Sequence, residues 1–137
     1  MKRILIFVFC VSIFGKSLAQ TWQPVTADVG FTAKMFGASV EGKFKKFGAV
    51  IKFDPSNLAA STIIAYVDAS TIDTDNTLRD KHLREKSDFF EVAKYPKITM
   101  KSTKIEKSEN SYVGYFDLTV KSITKNLKVH FYIHNQR

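Results

Sequence analysis

Cysteine is almost missing from this sequence: its 137 residues include one, Cys10. A single cysteine excludes an internal disulfide framework and a cysteine-based zinc cluster. Three prolines and six glycines are too few for a fibrous or low-complexity chain. A composition that is 45% hydrophobic and 25% charged instead fits one soluble globular domain.

Catalytic motifs are also missing. The sequence has no G-x-S-x-G elbow, no H-E-x-x-H motif, no glycine-rich phosphate loop and no catalytic cysteine. His130 and His134 share one face of a predicted strand but would lie about 13 Å apart, which is too far to bind one metal ion. We therefore expect no enzyme activity, no catalytic residue, no metal site and no cofactor.

The first 19 residues predict a secretory signal peptide. A basic start at Lys2 and Arg3 precedes an apolar run over 4–14, and Ser17 and Ala19 place small residues before Gln20. Cleavage there would leave residues 20–137 as the only domain and would remove Cys10. A cysteine-free mature chain suits an oxidising compartment, so we expect a periplasmic or secreted protein.

Alternation of apolar and polar residues dominates the rest of the chain and predicts antiparallel strands over 29–35, 49–53, 63–68, 98–102, 114–121 and 127–134. Gly48 reads as a bulge, and residues 36–40 read as a short helical turn. Residues 75–92 break the alternation and predict one short helix capped by Asp75 or Asn76. Long strands with apolar inner faces favour a curved sheet that wraps into a barrel.

The inner-face positions form an apolar set that fits either a filled core or the wall of a cavity, because both need the same alternation. Its members are Phe31, Met35, Phe44, Ile51, Phe53, Ile63, Val67, Met100, Phe116, Leu118, Val129 and Phe131.

Several separated motifs resemble the YceI-like family of polyisoprenoid-binding proteins. Residues 74–83 follow its T-x-N-x-x-R-D-x-H-L pattern, and residues 88–98 follow D-F-F-x-V-x-x-Y-P-x-I. Residues 40–44 match V-x-G-x-F and 51–55 match I-x-F-D-P, while residues 118–125 are similar to L-T-I-K-G-V-T-K with Ser122 in place of glycine. The likeness runs in order through nearly all of residues 22–134.

The resemblance implies an exported, lipocalin-like antiparallel barrel whose apolar cavity holds an isoprenoid, either a polyprenyl lipid or a quinone tail. It assigns the inner-face set to the cavity wall. Family members continue for some tens of residues beyond the L-T-I-K segment, so we expect the barrel wall to be incomplete at the C-terminus. The unpaired last strand would then favour a homodimer through residues 127–134.

The densest polar cluster comprises Asp73, Asp75, Arg79, Asp80 and His82. On a helix Asp80 and His82 point about 200° apart, so they do not readily share a metal ion. We interpret the cluster as a structural network in which Arg79 pairs with a carboxylate and His82 bonds to the backbone. An enzyme site at residues 79–82 is an open alternative, as is a structural or stress-response module with a packed core and no ligand.

Basic residues give the chain a formal charge of +8, and most of them occupy outward strand and turn positions. Lysine there keeps a sheet surface soluble. Lys43, Lys45 and Lys46 would also support a transient contact with an anionic membrane surface. Export and the absence of a stacking platform argue against nucleic-acid binding.

The signal peptide leads to a direct prediction: the mature protein begins at Gln20 and is found outside the cytoplasm. N-terminal sequencing of the protein from the cell envelope should therefore read from Gln20. Recovery of an N-terminal Met1 on that protein would contradict cleavage.

Overall fold

The computed structural model describes residues 20–22 and 28–134, without the side chains of residues 20–22 and Met35. The predicted signal peptide and the Met35 side chain therefore lie outside the described residues. The described chain is mainly β and contains one α-helix, α1 (Thr77–Glu85). Its strands are β1 (Gln20–Trp22), β2 (Val29–Met35), β3 (Ala38–Phe44), β4 (Phe47–Phe53), β5 (Thr62–Asp68), β6 (Ile72–Asp73), β7 (Lys97–Ser108), β8 (Ser111–Val120) and β9 (Ile123–Phe131).

The strands form two antiparallel sheets. The large sheet has six strands in the order β1-β4-β5-β7-β8-β9, and the small sheet has three in the order β2-β3-β6. The prediction of a mainly antiparallel β protein with one inserted helix is confirmed. A closed barrel is not confirmed by this pairing and stays a prediction, because among the described strands β2 and β9 each have a neighbour on one side alone.

The alternation predicted from the sequence is present, but two local predictions were wrong. Residues 36–40 form no helical turn: Phe36 and Gly37, with φ of 51° and 81°, make the tight turn between β2 and β3. Gly48 is not a bulge either, since it pairs in regular register with Tyr66. Its role is to leave room for the Tyr66 ring, which a Cβ at this position would meet at 2.4 Å. The strand irregularity lies instead between Ser102 and Lys104 in β7.

Two apolar clusters hold the fold together. The first joins both sheets to α1 through Phe44, Val67, Ile72 and Leu83. The second lies on the large sheet and is built from Phe53, Ile105 and Tyr112, with partly buried neighbours that include Phe131. Aromatic rings fill this second cluster: Tyr112 lies 4.9 Å from Phe53 and 5.6 Å from Phe131, measured between ring centroids. The inner face of the large sheet is thus packed at this end.

The helix begins where the sequence predicts. The Asn76 side chain accepts a hydrogen bond from the Arg79 backbone N–H and so caps the first turn. Leu83 is the apolar side chain that α1 buries in the first cluster. Among the described residues, none of the helices is both long and apolar enough to cross a membrane.

The outer edge of β9 is unpaired within the described chain, and two apolar side chains on this strand are exposed, Ile123 by 63% and Leu127 by 38%. An unpaired strand edge offers its N–H and C=O groups to another chain. We therefore propose that two copies of the protein pair through residues 127–134, as the sequence suggests.

We expect light scattering of the purified protein to show a mass that rises from monomer to dimer with concentration. Hydrogen exchange at the β9 amides should slow over the same range, while the amides of β8, which is paired on both sides, serve as the internal reference. A monomer at all concentrations with unchanged β9 exchange would contradict this pairing.

Candidate functional site

A groove of about 550 Å³ runs between the edges of the two sheets, and we call it the edge groove. The β2 edge of the small sheet forms one wall, the hairpin of β8 and β9 forms the other, and the segment after α1 closes one end. Its volume falls within the range typical of small-molecule sites. The lining is mostly apolar and consists of Phe31, Ala33, Lys34, Leu83, Asp88, Phe89, Phe90, Leu118, Val120, Lys121, Ile123 and Lys125.

Close packing in the small sheet fixes the wall at Phe31. The Phe31 ring lies over Gly42 on the neighbouring strand, and a Cβ at Gly42 would come within 2.4 Å of that ring. Phe31 also packs on Phe44, at 5.4 Å between ring centroids, and Phe44 meets Phe90 edge to face at 6.0 Å. The wall therefore continues from the sheet into the segment after α1 through ring contacts.

Lys121 contacts the segment that follows α1. Its ammonium donates a hydrogen bond to the Ser87 carbonyl and lies 3.6 Å from the Glu91 carboxylate. The Tyr95 ring also lies beneath the ammonium, 5.6 Å from ring centroid to Nζ. These contacts tie the turn between β8 and β9 to the chain that follows α1, so the end of the groove has a defined shape.

The structure divides the predicted cavity-wall residues among different environments. Phe31 and Leu118 line the edge groove. Phe44 and Val67 belong to the first cluster, while Ile51, Phe53, Ile63 and Phe131 belong to the second. Phe116 is 2% exposed, and Met100 and Val129 are half-buried. Whether any of these side chains contacts a ligand stays a prediction.

Two residues of the predicted polar network, Arg79 and Asp80, hydrogen-bond to Thr74, which the prediction did not include. The buried Asp80 carboxylate accepts hydrogen bonds from the Thr74 backbone N–H at 2.9 Å and from the Thr74 hydroxyl at 2.5 Å. Arg79 donates from Nε to the Thr74 hydroxyl at 2.7 Å and from its guanidinium to the Thr74 carbonyl at 2.6 Å. Arg79 thus bonds to Thr74 and not to a carboxylate, and the network pins α1 to β6.

Asp73 and Asp75 extend this network at the surface. The Asp73 carboxylate accepts a hydrogen bond from the Asp75 backbone N–H and lies 2.9 Å from the Lys45 ammonium. The hydrogen bond from Lys45 lowers the pKa of Asp73, and the same contact raises the pKa of Lys45. Lys45 is therefore ion-paired within the protein, although its side chain stays 63% exposed.

His82 does not have the backbone bond that the sequence suggests. Its imidazole is exposed, and among the described residues no hydrogen bond or ion pair involves it. It borders a second, smaller pocket of about 360 Å³ together with Phe36, Leu78, Arg79 and Phe89. The side chains of Asp80 and Arg79 hydrogen-bond to Thr74, so they do not converge with His82 on the pocket. Nowhere in 28–134 do three or more His, Asp or Glu side chains group as metal ligands.

Sequence reasoning missed several groove residues. Ala33 and Val120 continue the alternation of Phe31 and Leu118 along their strands, so the pattern itself contained the signal. Phe89 and Phe90 belong to the D-F-F motif, but no periodicity relates them to a strand face. Lys34 and Lys125 gave no signal, because lysine on a predicted strand is ordinarily a surface residue.

Comparison with known proteins adds the family context. The family model described as the YceI-like domain matches residues 21–137. A UPF0312 protein of Vibrio cholerae is 34% identical over 105 residues, which is 75% of this chain and 55% of the relative. A UPF0312 protein of Yersinia pestis is 37% identical over 100 residues, which is 72% of this chain and 52% of the relative. The chain thus spans about half the length of these curated relatives.

Two solved structures share the fold. BcnA of Burkholderia cenocepacia superposes with a TM-score of 0.73 at 27% identity, over 80% of this chain and 69% of that chain. A YceI protein of Campylobacter jejuni superposes with a TM-score of 0.60 at 33% identity, over 76% of this chain and 61% of that chain.

The Thr74 network predicts the effect of a nearly isosteric substitution. Thr74→Val would leave the buried Asp80 carboxylate and the Arg79 guanidinium each short of one partner, at a cost of about 1–3 kcal/mol in unfolding free energy. Thr74→Ser keeps the hydroxyl and should cost less. Urea denaturation followed by circular dichroism measures both variants.

Thr119→Val is the matched control, because it removes a hydroxyl whose bond to Thr124 is exposed to solvent. We expect this control to change the unfolding free energy by less than about 0.5 kcal/mol. Equal stabilities of the Thr74→Val and Thr119→Val variants would show that the network does not stabilise the fold.

Proposed function

Because the chain belongs to the YceI-like family, we propose that it is an exported protein that sequesters or carries a long-chain isoprenoid, either a polyprenyl lipid or a quinone tail. The observation that carries this proposal is the edge groove, a mostly apolar channel between two sheet edges. The periplasmic or secreted location rests on the predicted signal peptide. In this account the two sheets are parts of a lipocalin-like barrel wall, and the groove is the part of its interior that receives the lipid.

Removal of the tail from water would drive binding. Each buried methylene of the tail contributes roughly 0.8 kcal/mol, so affinity does not require polar contacts. The rings of Phe31, Phe89 and Phe90 and the aliphatic side chains of Leu118 and Val120 provide the surface against which a tail would pack. No step of this proposed function requires a catalytic group or a cofactor.

Transient membrane contact is part of the same proposal. Phe36 is fully exposed at the tip of the turn between β2 and β3, and Leu78 on α1 is 65% exposed. Both border the smaller pocket, which shares Leu83 and Phe89 with the edge groove. Phe36 has a positive φ, which is unfavourable for a bulky residue. Its fully exposed ring would be shielded from water if it contacted an apolar surface such as a bilayer. A lipid leaving the bilayer would meet the groove directly.

A second candidate is a non-catalytic structural module with a packed core and no ligand. It is favoured by one observation: Phe53 and Phe116, both predicted for the cavity wall, are only 4% and 2% exposed and lie among other aromatic rings. A charge at either position would be buried at a cost of several kcal/mol and would unfold the protein. A test of binding therefore needs a groove residue that the core does not depend on.

Ala33 provides that test, because it lines the edge groove with a small side chain. Ala33→Phe should fill part of the groove and weaken binding of geranylgeraniol, a neutral isoprenoid alcohol, by at least about ten-fold. Titration calorimetry measures the affinity, and circular dichroism checks that the variant is folded.

Val50→Phe is the control, because Val50 is 42% exposed and lies on the face of the large sheet that points away from the interior. This variant should bind geranylgeraniol like the original protein. Unchanged affinity in a folded Ala33→Phe variant would place the lipid elsewhere, and a protein that binds no isoprenoid at all would favour the packed module.

A further inference from the structure

The edge groove and the smaller pocket meet at one aromatic side chain. Both cavities are lined by Leu83 and Phe89, and no other residue borders the two of them. Leu83 is buried in the first cluster and is held there by the core. Phe89 is 37% exposed. The Phe89 ring is therefore the part of the boundary between the two cavities that is free to move.

Phe89 and its neighbour Phe90 have different surroundings. The Phe90 ring packs edge to face on Phe44, and its backbone N–H donates a hydrogen bond to the Leu83 carbonyl at 3.0 Å. The Phe89 ring makes no such ring contact with any residue that the structure describes. Phe90 thus anchors the segment after α1, whereas Phe89 carries a ring that can change its rotamer.

The backbone on either side of Phe89 is held in place. Before it, the Ser87 carbonyl accepts a hydrogen bond from the Lys121 ammonium. After it, the Val92 backbone N–H donates a hydrogen bond to the Arg84 carbonyl at 2.8 Å. Rotation of an exposed side chain takes picoseconds to nanoseconds and leaves such backbone contacts intact. The boundary between the cavities can therefore open by rotation of one side chain, without unfolding of the segment.

The smaller pocket offers apolar surface beyond this boundary. Its polar residues Asn76 and Arg79 are engaged within the protein, because the Asn76 side chain accepts from the Arg79 backbone N–H and the Arg79 guanidinium donates to Thr74. Phe36 and Leu78 supply apolar side chains that are exposed to water. A chain that passed the boundary would cover this surface without displacing those hydrogen bonds.

We propose that Phe89 is a gate that sets the length of chain accepted by the edge groove, and that the smaller pocket is a second subsite for the end of a long tail. The inference rests on the proposed function, since the edge groove must first accept a tail. With the ring in its observed position, the groove ends at Phe89. When the ring turns away, the two cavities become continuous and a longer isoprenoid gains buried apolar area.

A simpler role for Phe89 competes with the gate: its ring only adds apolar surface to the groove wall. Removal of the ring would then weaken the binding of every tail by a similar factor. A gate predicts the opposite result for long tails, because its removal gives them access to further apolar surface. The dependence of affinity on chain length therefore separates the two roles.

The experiment measures the affinities of isoprenoid alcohols that add one isoprene unit at each step, from geraniol through farnesol and geranylgeraniol to geranylfarnesol, by titration calorimetry. In the original protein we expect the affinity to stop rising once the tail reaches the Phe89 ring. In Phe89→Ala the next unit should raise the affinity by at least about ten-fold. The same length profile in both proteins, or a rise through the whole series in the original protein, would overturn the gate.

His82→Trp tests the second subsite, because His82 borders the smaller pocket and does not line the edge groove. His82 is exposed on α1, and circular dichroism checks that the variant is folded. In the double variant Phe89→Ala/His82→Trp, the larger ring should occupy the smaller pocket and abolish the gain for the longer tail. A gain that survives in this double variant would overturn the assignment of the smaller pocket.

Tyr132→Ala is the matched control, because it removes a ring that is 64% exposed and lines neither cavity. This variant should keep the length profile of the original protein, and a shifted profile here too would also overturn the gate. If the alcohols bind but Phe89→Ala leaves the profile unchanged, the gate fails alone. If none of them binds to the original protein or to Phe89→Ala, the proposed function fails together with it.

Discussion

The cluster of Phe44, Val67, Ile72 and Leu83 is the constraint on which the rest of the structure depends, because it is where both sheets and α1 bury their apolar faces together. Burial of large apolar side chains is the dominant favourable term in folding. The Thr74 network supports this joint by pinning α1 to β6 through buried, satisfied polar groups. Loss of the joint would separate the small sheet from the large one.

The edge groove follows from the same constraint. The first cluster joins the two sheets, and Leu83 of this cluster and Phe31, which packs against it, also line the groove that β9 borders. The second cluster packs the far end of the large sheet by itself, so the space is confined to the region near Phe31 and Leu118. The packed core and the open groove therefore lie next to each other. A tail could be shielded in the groove without displacing core side chains.

Much of the fold could be predicted from the sequence, because each strand with one buried face carries a period of two. The helix was predictable from its cap at Asn76. The partition of the strands into two sheets could not be predicted, because alternation identifies the inner face of a strand but does not show which strand pairs with it. Nor does it distinguish Phe116, in the packed core, from Leu118, two residues along the same strand and in the groove wall. Lys125 was missed because lysine on a strand is ordinarily a surface residue, although it lies in the row of Leu127, opposite Leu118.

Native mass spectrometry of the protein purified from the envelope of its own host would show whether this chain holds an isoprenoid in the groove. We expect a species heavier than the mature chain by one lipid, whose extract contains a polyprenyl or prenylquinone chain. A mass equal to that of the chain alone, with no lipid in the extract, would contradict it.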